Sequence, residues 1–393
     1  MSLNSTPSSE RIHIGFFGVR NAGKSSVVNR ITNQDVSIVS DVKGTTTDAV
    51  KKTMELLPLG AVVIIDTAGI DDEGTLGEMR VKSTKRILSS CDIAVLVTES
   101  RKEYQPCENE LISLFEEKKI PYVIAHNKSD LYSYFDNTER DVFVSAKDNT
   151  GFEELKGAIA TALGKTKKEI RLVADFIEKN DFVVLVTPID ASAPKGRMIL
   201  PQQQAIRDII DSSAISVVTQ VEELETVLDA LAKKPALVVT DSQVFTRVMK
   251  LVPDDIPLTS FSILMARYKG FLDTAVKGAR VIESLGENAK VLISEGCTHH
   301  RQCEDIGTVK LPKWLEAYTK KHLNFEFTSG HGYPDDLSAY DLVIHCGACM
   351  LNDAEIKSRM EQAVSSNVPF TNYGTVIAYI NGILDRSIDV IYK

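Results

Sequence analysis

The chain has 393 residues, 43% hydrophobic and 25% charged, with 45 basic against 54 acidic side chains and a net charge of −9. That length fits two or three domains of about 150 residues, and 22 Gly with 13 Pro are too few for a collagenous or low-complexity chain. The acidic balance argues against a broad nucleic-acid surface, no apolar run reaches the ~18 residues of a membrane span, and the start MSLNSTPSSE lacks the apolar core of a secretory signal.

We therefore expect a cytoplasmic protein with no nucleic-acid or membrane partner. In that compartment thiols stay reduced, so the six cysteines read as ligands, nucleophiles or core residues. Short apolar runs alternate with longer helical patterns along the chain. The runs are IHIGFF (12–17), VVII (62–65), IAVLV (93–97), YVIA (122–125), FVVLV (182–186), LVV (237–239), KVLI (290–293) and LVI (342–344). Such alternation predicts an α/β fold of parallel sheets covered by helices. The charged segment LGKTKKE (163–169) follows a helical stretch and marks a first boundary. A second is placed near 265, before a helical stretch from Arg267 to Leu285. Three domains result: 1–168, 169–265 and 266–393. No repeat of solenoid period is visible. In the middle domain PQQQAIRDIID (201–211) and VEELETVLDAL (221–231) read as amphipathic helices, the glutamines forming a solvated first turn.

The strongest local signal is Gly18-Val19-Arg20-Asn21-Ala22-Gly23-Lys24-Ser25, directly after IHIGFF and before a helical run through Ser26. Strand, Gly-rich loop and helix are the setting of a phosphate loop. Backbone N–H groups and the helix N-terminus face phosphate. Lys24 is expected to neutralise the β/γ oxygens, and the Ser25 hydroxyl to bind Mg2+. Asp66-Thr67-Ala68-Gly69 follows VVII: the Asp66 carboxylate can hold the Mg2+ shell, and the Gly69 N–H can reach a γ-phosphate. Asn127-Lys128-Ser129-Asp130 follows YVIA. A carboxylate at Asp130 only accepts, which suits the paired N–H donors of guanine. Ser145-Ala146-Lys147 would close over the base, and in Gly44-Thr45-Thr46-Thr47 either Thr45 or Thr46 would reach the metal.

These motifs, in this order, resemble the TrmE-Era branch of translation-factor-type GTPases over residues 11–165. The resemblance implies a Ras-like doubly wound sheet, and potassium at Asn21. Ile70 stands where Ras-like enzymes carry a water-positioning glutamine, so slow intrinsic hydrolysis is expected unless K+, a partner or dimerisation completes the site.

Cysteines and histidines crowd the last third: Cys297, His299, His300 and Cys303, then His345, Cys346 and Cys349, with His322 and His331 between. Cys297 follows KVLISEG; Cys346 follows DLVIH, and Cys349 stands before a helical stretch from Asp353. If both strands share one parallel sheet, Cys297, Cys346 and Cys349 sit at one carboxyl edge, where open α/β sheets place ligand sites. Gly347 is expected to make the tight turn, and a helix N-terminus to favour thiolate. Three such cysteines can hold three corners of a [4Fe–4S] cluster. Zinc fits the same residues, with Cys303, His299 or His345 as fourth ligand. A dithiol pair or metal-free cysteines are further readings. Of the rest, Cys91 reads as core, Cys107 as a loop residue and His13 as a satisfied strand histidine.

A TrmE-Era-like GTPase joined to Cys-Thr-His and, after a gap of this size, His-Cys-Gly-Ala-Cys resembles the HydF family of [FeFe]-hydrogenase maturation GTPases. The resemblance covers the whole chain. It implies a GTPase domain, a central α/β dimerisation domain and a C-terminal α/β domain with a parallel sheet that binds a [4Fe–4S] cluster. It implies GTP, Mg2+, K+, a transient di-iron precursor, and a homodimer or higher oligomer. Radical-SAM maturases and apo-[FeFe]-hydrogenase are the implied partners. Carried over by position, Cys297, Cys346 and Cys349 are the cluster cysteines, with His299 and His345 as ligands or as donors that hold the site. The rivals are an RNA- or ribosome-associated GTPase with a C-terminal zinc module, and an iron–sulfur redox sensor under GTP control.

Overall fold

The structure, a computed structural model, describes residues 6–33, 50–69, 83–100, 103–131, 138–164, 170–188, 198–296, 306–330 and 332–392. The chain divides into two compact units, Met1–Lys168 and Glu169–Lys393.

In the first unit the apolar runs become strands because β-branched residues suit a sheet buried on both faces. They are β1 (Ile12–Phe17), β2 (Val50–Leu56), β3 (Gly60–Asp66), β4 (Ile93–Glu99), β5 (Tyr122–Asn127) and β6 (Asp141–Phe143), in the order β2-β3-β1-β4-β5-β6. Only β2 runs antiparallel, against β3. Helices α1 (Lys24–Thr32), α2 (Pro106–Glu117) and α3 (Phe152–Gly164) accompany it. Separate apolar clusters line the sheet, one around Ile14, Val28 and Ile159, the other around Phe17, Leu88 and Phe115. Pro106 opens α2 at a position where its missing N–H costs nothing. This places Cys107 in a helix, buried in the first cluster, not in a loop. Cys91 is core, and the His13 ring meets the Arg11 carbonyl at 3.0 Å.

The second unit holds two four-stranded parallel sheets. One comprises β7 (Phe182–Val186), β8 (Ile215–Thr219), β9 (Leu237–Thr240) and β10 (Leu258–Ser260), ordered β10-β9-β7-β8. The other comprises β11 (Lys290–Glu295), β12 (Asn324–Ser329), β13 (Leu342–His345) and β14 (Phe370–Asn372), ordered β12-β11-β13-β14. The two orders are the same, so each half repeats one topology. The middle helices are α4 (Leu200–Asp211), α5 (Leu224–Ala230) and α6 (Phe245–Leu251). Gln202 is buried rather than solvated, and its side-chain oxygen accepts the Ile199 N–H at 3.2 Å.

The equivalence extends past the strands. β10 runs directly into α7 (Phe261–Tyr268), capped by the Ser260 hydroxyl, and then α8 (Leu272–Arg280). The third-sheet helices are α9 (Leu311–Thr319) and α10 (Asp353–Ser365), after which β14 runs directly into α11 (Tyr373–Ile380), capped by the Asn372 amide, and then α12 (Leu384–Tyr392). Gly270 (φ +76) and Gly382 (φ +70) make the turns, a conformation that favours glycine. The helical stretch expected over Arg267–Leu285 is therefore broken at Gly270.

The two halves exchange their last helices. α8 lies on β14, where the Thr371 hydroxyl donates to the Ala275 carbonyl at 2.8 Å. α12 lies on β10, and the Arg386 guanidinium donates to the carbonyls of Val252, Pro253 and Ile256. One continuous apolar core, from Val184 to Ile388, runs through both halves.

Gly278 marks how closely α8 approaches β14. An added Cβ would stand 2.6 Å from the Phe370 carbonyl carbon. A helix gains about 1 kcal/mol from Gly→Ala, but overpacking against backbone costs about 1–3 kcal/mol, so the clash wins. Gly278→Ala should lower the urea midpoint of the second unit, whereas Gly286→Ala, with nothing within 4 Å, should not. Equal midpoints for the two variants would contradict this packing.

Candidate functional site

Parallel strands deliver their following loops to one edge of the sheet, and in the first unit β1, β3 and β5 all deliver motif residues there. After β1 the chain passes through Gly18 and Asn21 (φ +67) to Gly23 (φ +85), which precedes α1. A Cβ on Gly23 would fall on the Asn127 amide nitrogen, and one on Gly18 on the Val97 carbonyl. Glycine is required at Gly23 twice over, by φ and by space.

Lys24, in the first turn of α1, is nearly buried. Its Nζ lies 2.7 Å from Asp66 Oδ1 at the end of β3 and also donates to the Thr67 carbonyl. Ser25 Oγ donates to the other Asp66 oxygen at 3.1 Å. The ammonium, hydroxyl and carboxylate expected to share phosphate and Mg2+ are thus already gathered. Thr67 is held by its hydroxyl on the Phe16 carbonyl at 2.7 Å, and Gly69 lies against the Arg20 backbone, 3.1 Å from an added Cβ. Ser26 is exposed on the next position of α1.

Asn127, 2% exposed, ties three loops together. Its Nδ2 donates to the Ala22 carbonyl at 3.0 Å, and its Oδ1 accepts the Ala146 N–H at 3.2 Å. Lys128 Nζ donates to the Asn21 carbonyl at 3.1 Å and pairs with Glu99 at the end of β4. Asp130 accepts the Ser145 hydroxyl at 2.9 Å, with Lys147 Nζ at 3.6 Å. These contacts, the Ser145 hydrogen bond foremost, hold the Asp130 carboxyl below its ordinary range. Glu99 was not found from the sequence; its place at a strand's carboxyl edge was the available signal. Thr45, Thr46 and Ile70 lie outside the described residues.

The second candidate site lies at the carboxyl edge of the third sheet. β11 and β13 are adjacent and parallel, with Ser294 opposite His345. The Cys346 sulfur accepts the Gly296 N–H at 3.1 Å and the Ala348 N–H at 3.4 Å. The left-handed residue of the Cys-x-x-Cys turn is Ala348 (φ +54), not Gly347. Gly347 instead faces Ser262, whose hydroxyl would stand 3.8 Å from an added Cβ. Burial pushes the Cys349 thiol up, against the Lys269 ammonium and backbone N–H donors. Burial thus outweighs the expected thiolate bias at Cys349.

His345 is fully buried. The Arg359 guanidinium donates to its Nε2 at 3.1 Å, which leaves the proton on Nδ1, donated to the Cys346 carbonyl at 3.0 Å. Burial, then the Arg359 charge, pushes the ring down to about 3. Arg359 also holds the Gly330 carbonyl at 2.7 Å and Glu355 at 2.6 Å. Its role was hidden in the sequence, where nothing local links it to His345, 14 positions away. Cys297, His299, His300, Cys303 and His331 lie outside the described residues. Among the described residues no three His, Cys, Asp or Glu side chains gather as a metal site.

Comparison with known proteins gives each region a family. Residues 13–128 match the 50S ribosome-binding GTPase family. Residues 172–270 match the hydrogen maturase F dimerization domain, and 273–390 its tetramerization domain. The tRNA modification GTPase MnmE of Nitrosospira multiformis is 29% identical over 165 residues, 39% of this chain and 36% of that protein. MnmE of Legionella pneumophila is 33% identical over 171 residues, 42% and 37% of the two chains. GTPase Der of Mycoplasmopsis pulmonis is 29% identical over 195 residues, 44% of each. The chain thus spans well under two thirds of these relatives. Among solved structures, Era of Aquifex aeolicus bound to GDP and AlF4− is 17% identical, covers 52% of this chain and 91% of that one, and has a TM-score of 0.35. The first unit is a P-loop GTPase domain. Because that domain is followed, in order, by two domains specific to one family, the chain belongs to the hydrogen maturase F family.

Proposed function

We propose that the chain is a GTP-hydrolysing scaffold that binds a [4Fe–4S] cluster and delivers a di-iron precursor to apo-[FeFe]-hydrogenase, with radical-SAM maturases as its other partners. The observation that carries this reading is the Cys346 sulfur. It accepts two backbone N–H bonds, one from Gly296, the residue before Cys297. Such N–H···S bonds suit an iron-bound thiolate, and this one brings Gly296 to the Cys346 turn. The donor set fits the cluster: Cys297, Cys346 and Cys349 would hold three irons, leaving the fourth open. His345 has both ring nitrogens engaged, which supports a role in holding the loop rather than ligation. His299 remains the motif histidine free for either role. When bound, the cluster supplies an anionic, open-cornered iron site.

For the nucleotide, Gly18, Asn21, Ala22, Gly23, Lys24, Ser25 and Ser26 form the phosphate cradle. Phosphate takes Lys24 over from Asp66, which is freed to serve the Mg2+ shell beside Ser25 and Thr46, or Thr45. Gly69 offers its N–H to the γ-phosphate. Asn127, Lys128 and Asp130 hold guanine under Ser145, Ala146 and Lys147, and Asn21 takes K+. We assign three domains, 1–168, 169–265 and 266–393, and an oligomer. Its support is two sheet edges, unpaired among the described residues, that expose apolar side chains: Ile215 (42%) and Val218 (45%) on β8, and Phe327 on β12. Among the described residues no helix is long and apolar enough to cross a membrane.

Anaerobic reconstitution with iron and sulfide tests the cluster reading. The parent should show a reducible four-iron signal in absorption and EPR, and Cys346→Ala should lose it. Tight zinc retention with no cluster would sink the reading and favour the zinc-module GTPase. Asp130→Asn exchanges one acceptor for a donor, which matches the carbonyl that xanthine carries in place of guanine's amino group. Xanthosine triphosphate should then be preferred over GTP by at least tenfold, read as kcat/KM; unchanged preference would remove Asp130 from the base site. Asn127→Ala leaves the Ala22 carbonyl and the Ala146 N–H without their partner, a cost of about 1–3 kcal/mol. The nucleotide-free first unit should unfold at lower urea; an unmoved midpoint would show that the three loops hold without it.

A further inference from the structure

A histidine–carboxylate pair lies between the two strands that carry the loops proposed to hold guanine. His126 stands in β5 immediately before Asn127, and Asp141 opens β6, which leads through Val144 to Ser145, Ala146 and Lys147. Ile124 and Asp141 are register partners, as are His126 and Phe143. Side chains alternate faces along a strand, so all four share one face. There His126 Nε2 lies 2.8 Å from Asp141 Oδ1, and both side chains are 8% exposed. The His126 ring also stacks on Phe143, with centroids 4.8 Å apart.

Asp141 is a hub as well as a partner. Its Oδ2 accepts the Thr138 N–H at 2.9 Å and the Thr138 hydroxyl at 2.7 Å, and the Tyr104 hydroxyl reaches Oδ1 at 3.4 Å. Burial pushes the Asp141 carboxyl up, but the hydrogen bonds from His126 and Thr138 outweigh it and hold the group below its ordinary range. An ionised carboxylate only accepts, so the proton between the two side chains sits on His126 Nε2.

Stability alone does not call for this pair, because apolar side chains packed in place of a buried polar or ionic pair are often as stable or more so. What a polar pair adds is register. β6 is an edge strand of three residues and offers few ladder bonds. Its neighbours Arg140 and Val144 make two of the bonds to β5, to the Ile124 N–H at 2.8 Å and the His126 carbonyl at 2.9 Å. A slip of one residue, about 3.3 Å, would part the Ser145 hydroxyl from Asp130 and the Ala146 N–H from Asn127, now 2.9 and 3.2 Å apart.

We propose that His126 and Asp141 are positioning residues for guanine selectivity. Their hydrogen bond and the stack on Phe143 lock β6 against β5, and so hold Asp130 and the Ser145–Lys147 loop in one geometry around the base. The inference rests on the nucleotide-site reading above, in which Asp130 receives the guanine N–H donors.

The test is steady-state hydrolysis by the full chain of GTP and of inosine triphosphate, which lacks guanine's amino group. A displaced Asp130 loses more with GTP than with the inosine nucleotide. Simple destabilisation instead removes active protein, which lowers apparent kcat for both by one factor and leaves their ratio unchanged. His126→Leu should raise KM for GTP with kcat little changed, and should shrink the preference for GTP, read as the ratio of kcat/KM values, by about fivefold. His126→Gln, whose amide nitrogen can donate to Asp141 from the place of Nε2, should keep the parent's preference. If His126→Leu does not fold, Asp141→Ala, which removes the acceptor instead of the donor, is read in its place. A folded variant that keeps the parent's preference overturns the inference and leaves the base site intact, even where its urea midpoint falls. A parent with no preference for GTP over inosine triphosphate overturns both.

Discussion

A parallel strand can pass its chain onward only at its carboxyl end, and both candidate sites of this protein obey that constraint. In the first unit it gathers the phosphate loop, Asp66 and Asn127 from three strands. In the second it brings Gly296 and Cys346 together from two. Neither gathering needs residues close in sequence: Lys24 and Asp66 are 42 positions apart, Gly296 and Cys346 are 50. The edge is also where α/β sheets leave backbone N–H groups and helix N-termini unpaired, which is why anionic ligands settle there.

Contacts among the motif residues themselves tie that edge together. Asn127 bridges the phosphate loop to the Ser145–Lys147 loop, and Asp66 takes the charge of Lys24. Each contact is made by a group that the proposed ligand would also use. Breaking a buried ion pair by removing one partner costs about 3–5 kcal/mol, and on the proposed reading phosphate would take the place of the carboxylate, so that Lys24 keeps a counter-charge. On the proposed reading, binding would exchange one pairing for another and turn the Asp66 carboxylate toward the metal.

Local motifs were legible in the sequence because their chemistry is local. The strand runs, Gly23 before a helix, Asp130 with its neighbours and the Cys-x-x-Cys turn all depend on residues adjacent in the chain. What escaped depends on distant partners. Cys107 reads as loop because its helix begins at Pro106, and its burial is settled by the sheet beneath. The stretch from Arg267 to Leu285 has helical composition throughout, and only Gly270 at φ +76 divides it. The repeated topology of the second unit leaves a faint trace: Ala266, Gly270, Leu272 and Asp273 correspond to Ala378, Gly382, Leu384 and Asp385 at one constant spacing. Four matches in twenty positions do not announce a repeat, yet they include both turn glycines.

The exchange of α8 and α12 gives that duplication its consequence. Each half would expose an apolar strand face if the other were removed, since β14 is covered by α8 and β10 by α12. The two halves therefore stabilise one another as a single core rather than as beads on a string. The seam between them passes beside the Cys346 turn, where Ser262 and Lys269 from one half meet Gly347 and Leu351 from the other. The middle sheet, whose β8 edge is the proposed association surface, is thus joined to the Cys346 turn by packed helix and strand. Any shift of α7 must move Lys269, and a moved Lys269 drags the Leu351 carbonyl.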